Sequence, residues 1–162
     1  MKYLLSLLFV VFSFAAMAQE QPPYLKYRTL PSARLLLADS TGWELKAKLD
    51  KKKPVMLIVF SPECDHCKHE TEELVKNMDK LRDIQIIMVC MLSLDEMRTF
   101  VAHYGLDKYK NITVARDYAY AFPVYYGLKS LPFHAFYNKD KKLINGFEGT
   151  MTTQKILAQF GK

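Results

Sequence analysis

The sequence predicts an α/β fold, a mixed central β-sheet flanked by helices with an extra N-terminal strand-turn segment, and three observations carry that prediction. The run Val55-Met56-Leu57-Ile58-Val59-Phe60 is short, continuous and partly β-branched, the pattern of a strand buried on both faces. From Cys64 to about Arg82, apolar Leu74, Val75, Met78 and Leu81 recur among charges with the period of an amphipathic helix. A second apolar run, Ile84 to Met91, follows, and a right-handed crossover would lay it parallel to the first. The product is a βαβ unit whose first turn holds Cys64 and Cys67.

Residues 1–18 read as an export signal. Lys2 precedes the apolar run Leu4 to Phe14, and Ala16-Met17-Ala18 is a small-x-small site that a signal peptidase would cut before Gln19. The apolar run is shorter than the ~20 residues that span a bilayer, and no cysteine stands near the cleavage point to take a lipid. A soluble periplasmic or otherwise extracytoplasmic protein of one domain is expected. The signal carries one lysine and no acid, so its loss lowers the formal net charge of +6 by one. That mild excess, with no basic helix interleaved with aromatics, does not point to nucleic acid.

Residues 19–33, with Pro22, Pro23 and Pro31, read as an extended arm, and residues 34–162 as the folded domain. Leu35-Leu36-Leu37 and Asp39-Ser40-Thr41-Gly42 form a strand and a turn, and Trp43 to Leu49 is a second strand or one helical turn. Lys46, Lys48, Lys51, Lys52 and Lys53 make a solvated loop that enters the strand at Val55. Beyond Met91, Ser93 is an N-cap with Asp95 and Glu96 in the first turn of a helix that Gly105 ends. A short strand follows at Ile112 to Ala115. The segment Asp117 to Tyr126 gathers Tyr118, Tyr120, Phe122, Tyr125 and Tyr126, rings that pack into the core or face a substrate. Leu131-Pro132 enters a hairpin whose strands are joined by Asn138-Lys139-Asp140-Lys141. Proline is tolerated at a strand start, where its missing N–H need not break the ladder. Thr152 to Phe160 closes the chain as a helix, with Ile156, Leu157 and Phe160 toward the sheet.

The chemistry concentrates on Cys64 and Cys67. Unpaired backbone N–H groups and the positive end of the dipole at a helix N-terminus favour a thiolate, the reactive form of cysteine. The three cysteines do not make a disulfide framework, which shows an even and larger number. One pair and one spare fits better, with Cys90 a small buried hydrophobe at the end of an apolar run. His66 can donate a hydrogen bond or positive charge to the Cys64 sulfur, whereas Asp65 and Glu63 push the other way, because nearby negative charge disfavours a thiolate. The expected reduction potential is therefore intermediate, between about −270 mV and about −120 mV.

A strand, a CxxC at a helix start, a crossover, Leu131-Pro132 entering a hairpin and a closing helix together resemble the thioredoxin-like superfamily over about residues 34–162. The export signal and the additional N-terminal strand-turn segment are most similar to the TlpA/ResA-like branch of exported thiol–disulfide oxidoreductases. The resemblance implies that Cys64 is the exposed nucleophile, that Cys67 resolves the mixed disulfide, and that Pro132 is the cis-proline, with Leu131 offering backbone groups to an extended substrate. It implies no cofactor beyond a redox-active Cys64–Cys67 disulfide. The partners it implies are exported protein thiols and disulfides and a membrane electron donor or acceptor, most simply for a reductase, for example in cytochrome c maturation or cysteine maintenance; oxidases and isomerases of the family use similar residues, and the sequence alone does not separate the three. A monomer is expected. Two departures stand out. Glu63 occupies the place where many members carry tryptophan, and Ile58 the place where thioredoxin keeps a buried acid, so that aid to proton transfer is absent from this strand position.

Other chemistries use the same residues. Two thiolates with His66, His69, His103 or His134 could hold copper, as the Sco-like metallochaperones do, but those relatives resemble CxxxC. Tetrahedral zinc wants four ligands, of which two are secure here. A peroxiredoxin-type peroxidase follows a Pro-x-x-x-Thr-x-x-Cys pattern, and Phe60-Ser61-Pro62-Glu63-Cys64 lacks its threonine. A purely structural Cys64–Cys67 bridge would close too short a loop to stabilise the chain much.

Overall fold

A computed structural model describes residues 21–162, and the export signal read at residues 1–18 lies outside them. The arm is not extended. Pro23 stands at the first helical position, where its missing N–H is no loss, and opens helix α1, Pro23–Tyr27, which Arg28 ends in the left-handed region at φ 50°. Tyr24 turns its ring onto Tyr126 and Phe133 at centroid distances of 5.4 and 5.7 Å. It fits because Gly146 has no Cβ; one there would stand 2.7 Å from the Tyr24 ring. The Tyr125 hydroxyl donates to the Thr29 carbonyl at 2.6 Å, and the Leu143 N–H to the Arg28 carbonyl at 2.9 Å. Ring packing and these bonds make the arm part of the domain.

Strand β1 (Arg34–Leu36) pairs antiparallel with β2 (Gly42–Glu44) across a turn in which the Asp39 carboxylate accepts from the Thr41 N–H and hydroxyl. The ambiguous stretch after Gly42 takes both forms, β2 and then one helical turn, α2 (Leu45–Lys48). Strand β3 (Val55–Phe60) is buried at every position, which at roughly 1.5–3 kcal/mol per large apolar side chain makes it the spine of the core. The single helix expected from Cys64 to Arg82 is two, α3 (Asp65–Lys76) and α4 (Met78–Leu81). Asn77 breaks it: its side-chain amide donates to the Glu73 carbonyl and carboxylate, competing with the helical ladder.

Strand β4 (Gln85–Cys90) precedes α5 (Leu94–Tyr104), where Ser93 and Glu96 form a capping box and Gly105 closes the helix at φ 61°. Strand β5 (Ile112–Arg116), α6 (Ala121–Tyr126), the hairpin β6 (Phe133–Tyr137) and β7 (Leu143–Glu148), and α7 (Thr153–Gln159) complete the chain. The strands lie in the order β2-β1-β5-β4-β3-β6-β7. Strands β3, β4 and β5 are parallel, and β6 runs antiparallel to β3. Val55, Leu57 and Val59 face a core completed by Leu35, Trp43, Phe122 and Tyr126, while Met56, Ile58 and Phe60 face one completed by Leu74, Met97, Phe100 and Ile156. The ring-rich segment divides accordingly: Phe122 and Tyr126 are core, and Tyr118 and Tyr120 are exposed. No helix among the described residues is long and apolar enough to cross a membrane.

Candidate active site

Because β3 is parallel to β4 and buried throughout, its C-terminal end must release the chain into a tight turn, Ser61-Pro62-Glu63, before α3 can pack back over the sheet. The turn delivers Cys64 as the N-cap of α3, in extended conformation, with its sulfur accepting the Cys67 N–H at 3.2 Å. A sulfur thus stands where a Ser or Asp oxygen usually caps, and the helix end stabilises negative charge on it. Cys64 is half-buried and Cys67 buried, and both are free thiols.

The second wall comes from the start of β6. The Cys64 thiol points at the Leu131 carbonyl, 3.8 Å away, and the Leu131–Pro132 peptide is cis. The approach to this wall is tied down by Glu148, which accepts from the Lys129 N–H at 3.0 Å and the Ser130 hydroxyl at 3.3 Å. The Gly149 N–H donates to the Pro132 carbonyl at 2.8 Å.

The structure thus brings Cys64, Cys67, Leu131 and Pro132 together. The residues expected to tune the sulfur stand apart from it. Asp65 binds the Lys68 ammonium at 2.8 Å, which holds its carboxyl below the usual range and compensates its charge locally. Glu63 and His66 are exposed, and among the described residues no hydrogen bond joins Glu63, Asp65 or His66 side chains to either sulfur. Beside the turn, a groove of about 530 Å³ runs between α3 and α5, lined by Phe100 and Tyr104 with Glu63 and Asp95 among its charged residues.

Beneath the cysteines lie Glu70, which the sequence reading did not place in the site, and His134, which it offered only as a possible metal ligand. Glu70, one turn after Cys67 on the same face of α3, is 3% exposed, and His134, paired with Ile58 across β3 and β6, is wholly buried. The Glu70 carboxylate meets His134 Nε2 at 2.5 Å with one oxygen and accepts the Met151 N–H at 3.0 Å with the other. His134 Nδ1 is buried without a partner among the described residues. An unmatched N–H there would cost more than an unmatched lone pair, so the tautomer with the proton on Nε2 and an ionised Glu70 fits best. The buried acid missing at Ile58 is therefore supplied from the helix. Its signal was available: Cys67, Glu70, Thr71 and Leu74 share one buried stripe, and an acid on such a stripe needs a partner.

Burial pushes the Cys67 thiol well up, its hydrogen bond with Cys64 and the Glu70 charge add to this, and the Ser61 backbone opposes it in part. Cys67 consequently holds its proton at neutral pH. Cys90 is buried at the end of β4, and burial pushes its thiol up to about 11. Among the described residues, no three His, Cys, Asp or Glu side chains converge as a metal site would need, and His134 is committed to Glu70.

A family profile described as thioredoxin-like domain matches residues 43–162. No curated protein matches the chain. Among solved structures, a secreted Mycobacterium tuberculosis disulfide oxidoreductase homologous to Escherichia coli DsbE superposes with a TM-score of 0.66 at 18% identity, over 80% of this chain and 95% of that one. The exposed lipoprotein thioredoxin Etrx1 of Streptococcus pneumoniae gives 0.63 at 24% identity, over 81% and 98%. StoA of Bacillus subtilis gives 0.58 at 14%, over 80% and 98%. At these identities the likeness is one of fold.

Proposed function

The chain belongs to the thioredoxin-like domain family, and from that premise we propose that it is a thiol–disulfide oxidoreductase acting on exported proteins, working as a reductase. The observation that carries this reading is the placement of the Cys64 sulfur, at once the N-cap of α3 and 3.8 Å from the Leu131 carbonyl, with Cys67 buried behind it. A substrate chain laid along Leu131 would bring its disulfide to the half-buried sulfur.

The Cys64 thiolate attacks one sulfur of the substrate disulfide, forms a mixed disulfide and releases the other sulfur as a thiolate. Cys67 then gives up its proton and attacks the Cys64 sulfur, forming the Cys64–Cys67 disulfide and releasing the second substrate thiol. Two electrons have passed to the substrate. The Cys67 proton needs a base shielded from water, and Glu70, on the same face of α3 and coupled to His134 of β6, is that base, because taking the proton removes the net negative charge that opposes a Cys67 thiolate. A membrane electron donor outside the chain restores the dithiol. The export signal read at residues 1–18 supports a cycle in the periplasm or another extracytoplasmic space, where c-type cytochromes or their maturation partners are the fitting substrates.

Replacing Cys67 with Ser stops the cycle at the mixed disulfide, and identifying what is trapped on Cys64 in the exported compartment tests the reading. A c-type cytochrome or a maturation partner is the expected catch. A broad set of unrelated secreted proteins would instead make the chain an oxidase or isomerase, and an empty trap would remove disulfide exchange altogether.

A further inference from the structure

Strands β3, β4 and β5 all begin, and β6 ends, at the side of the sheet remote from Cys64, so residues 49–54, 82–84, 105–111 and 138–142 meet on one end of the molecule. Hydrogen bonds stitch them together. The Gln85 amide donates to the Asp50 carbonyl at 2.9 Å, Lys53 Nζ to the Arg82 carbonyl at 3.3 Å, and Lys141 Nζ to the Asp50 and Lys53 carbonyls at 2.8 and 2.6 Å. Lys51 and Lys52, Lys108 and Lys110, and Lys139 and Lys142 are exposed around this frame. Two adjoining hollows share Asp50 and Lys53. One, of about 400 Å³, also has Lys48, Arg82 and Lys110 on its wall; the other, of about 870 Å³, has Lys52, Lys139 and Lys162. Asp50, Asp83, Asp107 and Asp140 are the acids of the four segments, so cations clearly prevail.

The end that holds Cys64 carries the opposite sign. Glu63, Asp65, Asp95, Glu96 and Glu148 are exposed there against Lys68, Arg98 and Lys129, and since Lys68 and Arg98 pair with Asp65 and Asp95 at 2.8 Å each, acids prevail by a small margin. The basic excess of the whole chain is thus concentrated away from the cysteines.

We infer that the basic end is a peripheral binding surface for an anionic phospholipid bilayer. Protein interfaces favour Arg and aromatics and are depleted in Lys, whereas these segments contain one arginine, Arg82, and none of the exposed large aromatics. Lysine suits a diffuse plane of charge, since it offers a point charge on a flexible apolar stem in place of a fork for a fixed carboxylate. The positions span adjacent strands spaced about 4.8 Å apart, a broad face in place of a single pocket. Ile144, 39% exposed, and Phe160 line the larger hollow and give the surface an apolar element that can enter the headgroup boundary. Attachment of this kind needs no membrane-crossing helix.

The test uses the chain from Gln19, the form that loss of the signal leaves, with vesicles of phosphatidylcholine alone and of phosphatidylcholine mixed with phosphatidylglycerol. Sedimentation with the anionic vesicles alone, lost at high salt, is expected. Lys51→Gln, Lys52→Gln and Lys139→Gln together should weaken it about tenfold or more, while the charge-matched Lys26→Gln, Lys129→Gln and Lys155→Gln should change it less than about twofold. Disulfide exchange should be untouched by the first triple, so this result stands apart from the fate of the redox reading. Equal binding to neutral vesicles, equal loss in both triples, or binding to polyglutamate without binding to vesicles would each overturn the inference.

Discussion

The two faces of the sheet are built from the same alternating strand, β3, yet they differ in kind. Val55, Leu57 and Val59 look toward rings: Tyr24, Phe122, Tyr126, Phe133 and Tyr137 close that side, and its buried hydroxyls satisfy each other, Tyr126 to Tyr137 at 2.8 Å. Met56, Ile58 and Phe60 look toward groups that can gain or lose a proton: Cys67, Glu70, His134 and Cys90. The first face is a scaffold of rings whose hydroxyls are matched, although the buried Asp117 carboxylate, which accepts the Phe122 N–H with one oxygen at 2.8 Å, leaves its other oxygen without a partner among the described residues. The second keeps an unmatched nitrogen on His134 and a thiol held protonated beneath a half-buried sulfur. Only the second face gathers titratable groups beneath a thiol that a substrate can reach. The difference assigns function to the α3 side and mechanical support to the α6 side.

Substitutions on the two faces should therefore separate activity from stability. The largest effect belongs to Cys64→Ser, which should reduce catalysed reduction of insulin disulfides to the uncatalysed rate while leaving the thermal midpoint nearly unchanged. On the scaffold face, Tyr126→Ala should cost about 3–5 kcal/mol in denaturant unfolding, as deletion of a fully buried ring does, with the reduction potential of the remaining folded protein preserved. If that variant instead lost its redox activity while fully folded, the division between faces would fail. Glu70→Gln keeps the shape and an acceptor for the Met151 N–H but removes the base, so resolution of the mixed disulfide should slow about 10²-fold. Stopped-flow measurement of the resolving step, with circular dichroism confirming the fold, checks this; an unchanged rate would reduce Glu70 to a packing residue.

A smaller, pH-dependent effect marks both faces. Burial raises the Cys90 thiol to about 11 and pushes Tyr126 and Tyr137 above their ordinary values. Each prefers its neutral form in the fold, so the stability it contributes is complete below its unfolded pKa, about 8.5 for Cys and about 10 for Tyr, and is lost as pH rises toward the folded value. Urea midpoints should be level from pH 6 to 8 and fall from about pH 8.5 upward. Cys90→Val should lessen the early part of the fall, leaving the share of the buried Cys67, and Tyr126→Phe should lessen the later part, leaving that of Tyr137; a level profile to pH 11 would contradict both. The smallest effect concerns the exposed residues between the cysteines. His66→Ala and Asp65→Asn should each move the reduction potential by less than about 30 mV, since neither side chain hydrogen-bonds a sulfur and Asp65 is paired with Lys68.

Features legible in the sequence were local ones. The βαβ unit followed from apolar runs of strand length around one amphipathic stretch, and the Ser93 cap and Gly105 stop of α5 from residue preferences within a single turn. Asn77 was not legible as a break, because an asparagine on a polar helix face looks harmless until its amide is seen to take the Glu73 carbonyl. Helix α1 escaped because a proline-rich stretch of five helical residues is too short to show periodicity, and it forms on the support of Tyr24 in its glycine notch.

By itself, then, the sequence determined the reactive pair and its place at a helix start, since two cysteines three positions apart between an apolar run and an amphipathic one are short-range facts. Only the tertiary structure decided what stands beneath them. Glu70 and His134 are separated by 64 positions and meet because β6 pairs with β3 in the register that sets His134 opposite Ile58. The separation of charge between the two ends is of the same kind: no single loop shows it, and it arises because parallel strands gather their incoming loops at one end and their outgoing turns, with Cys64 among them, at the other.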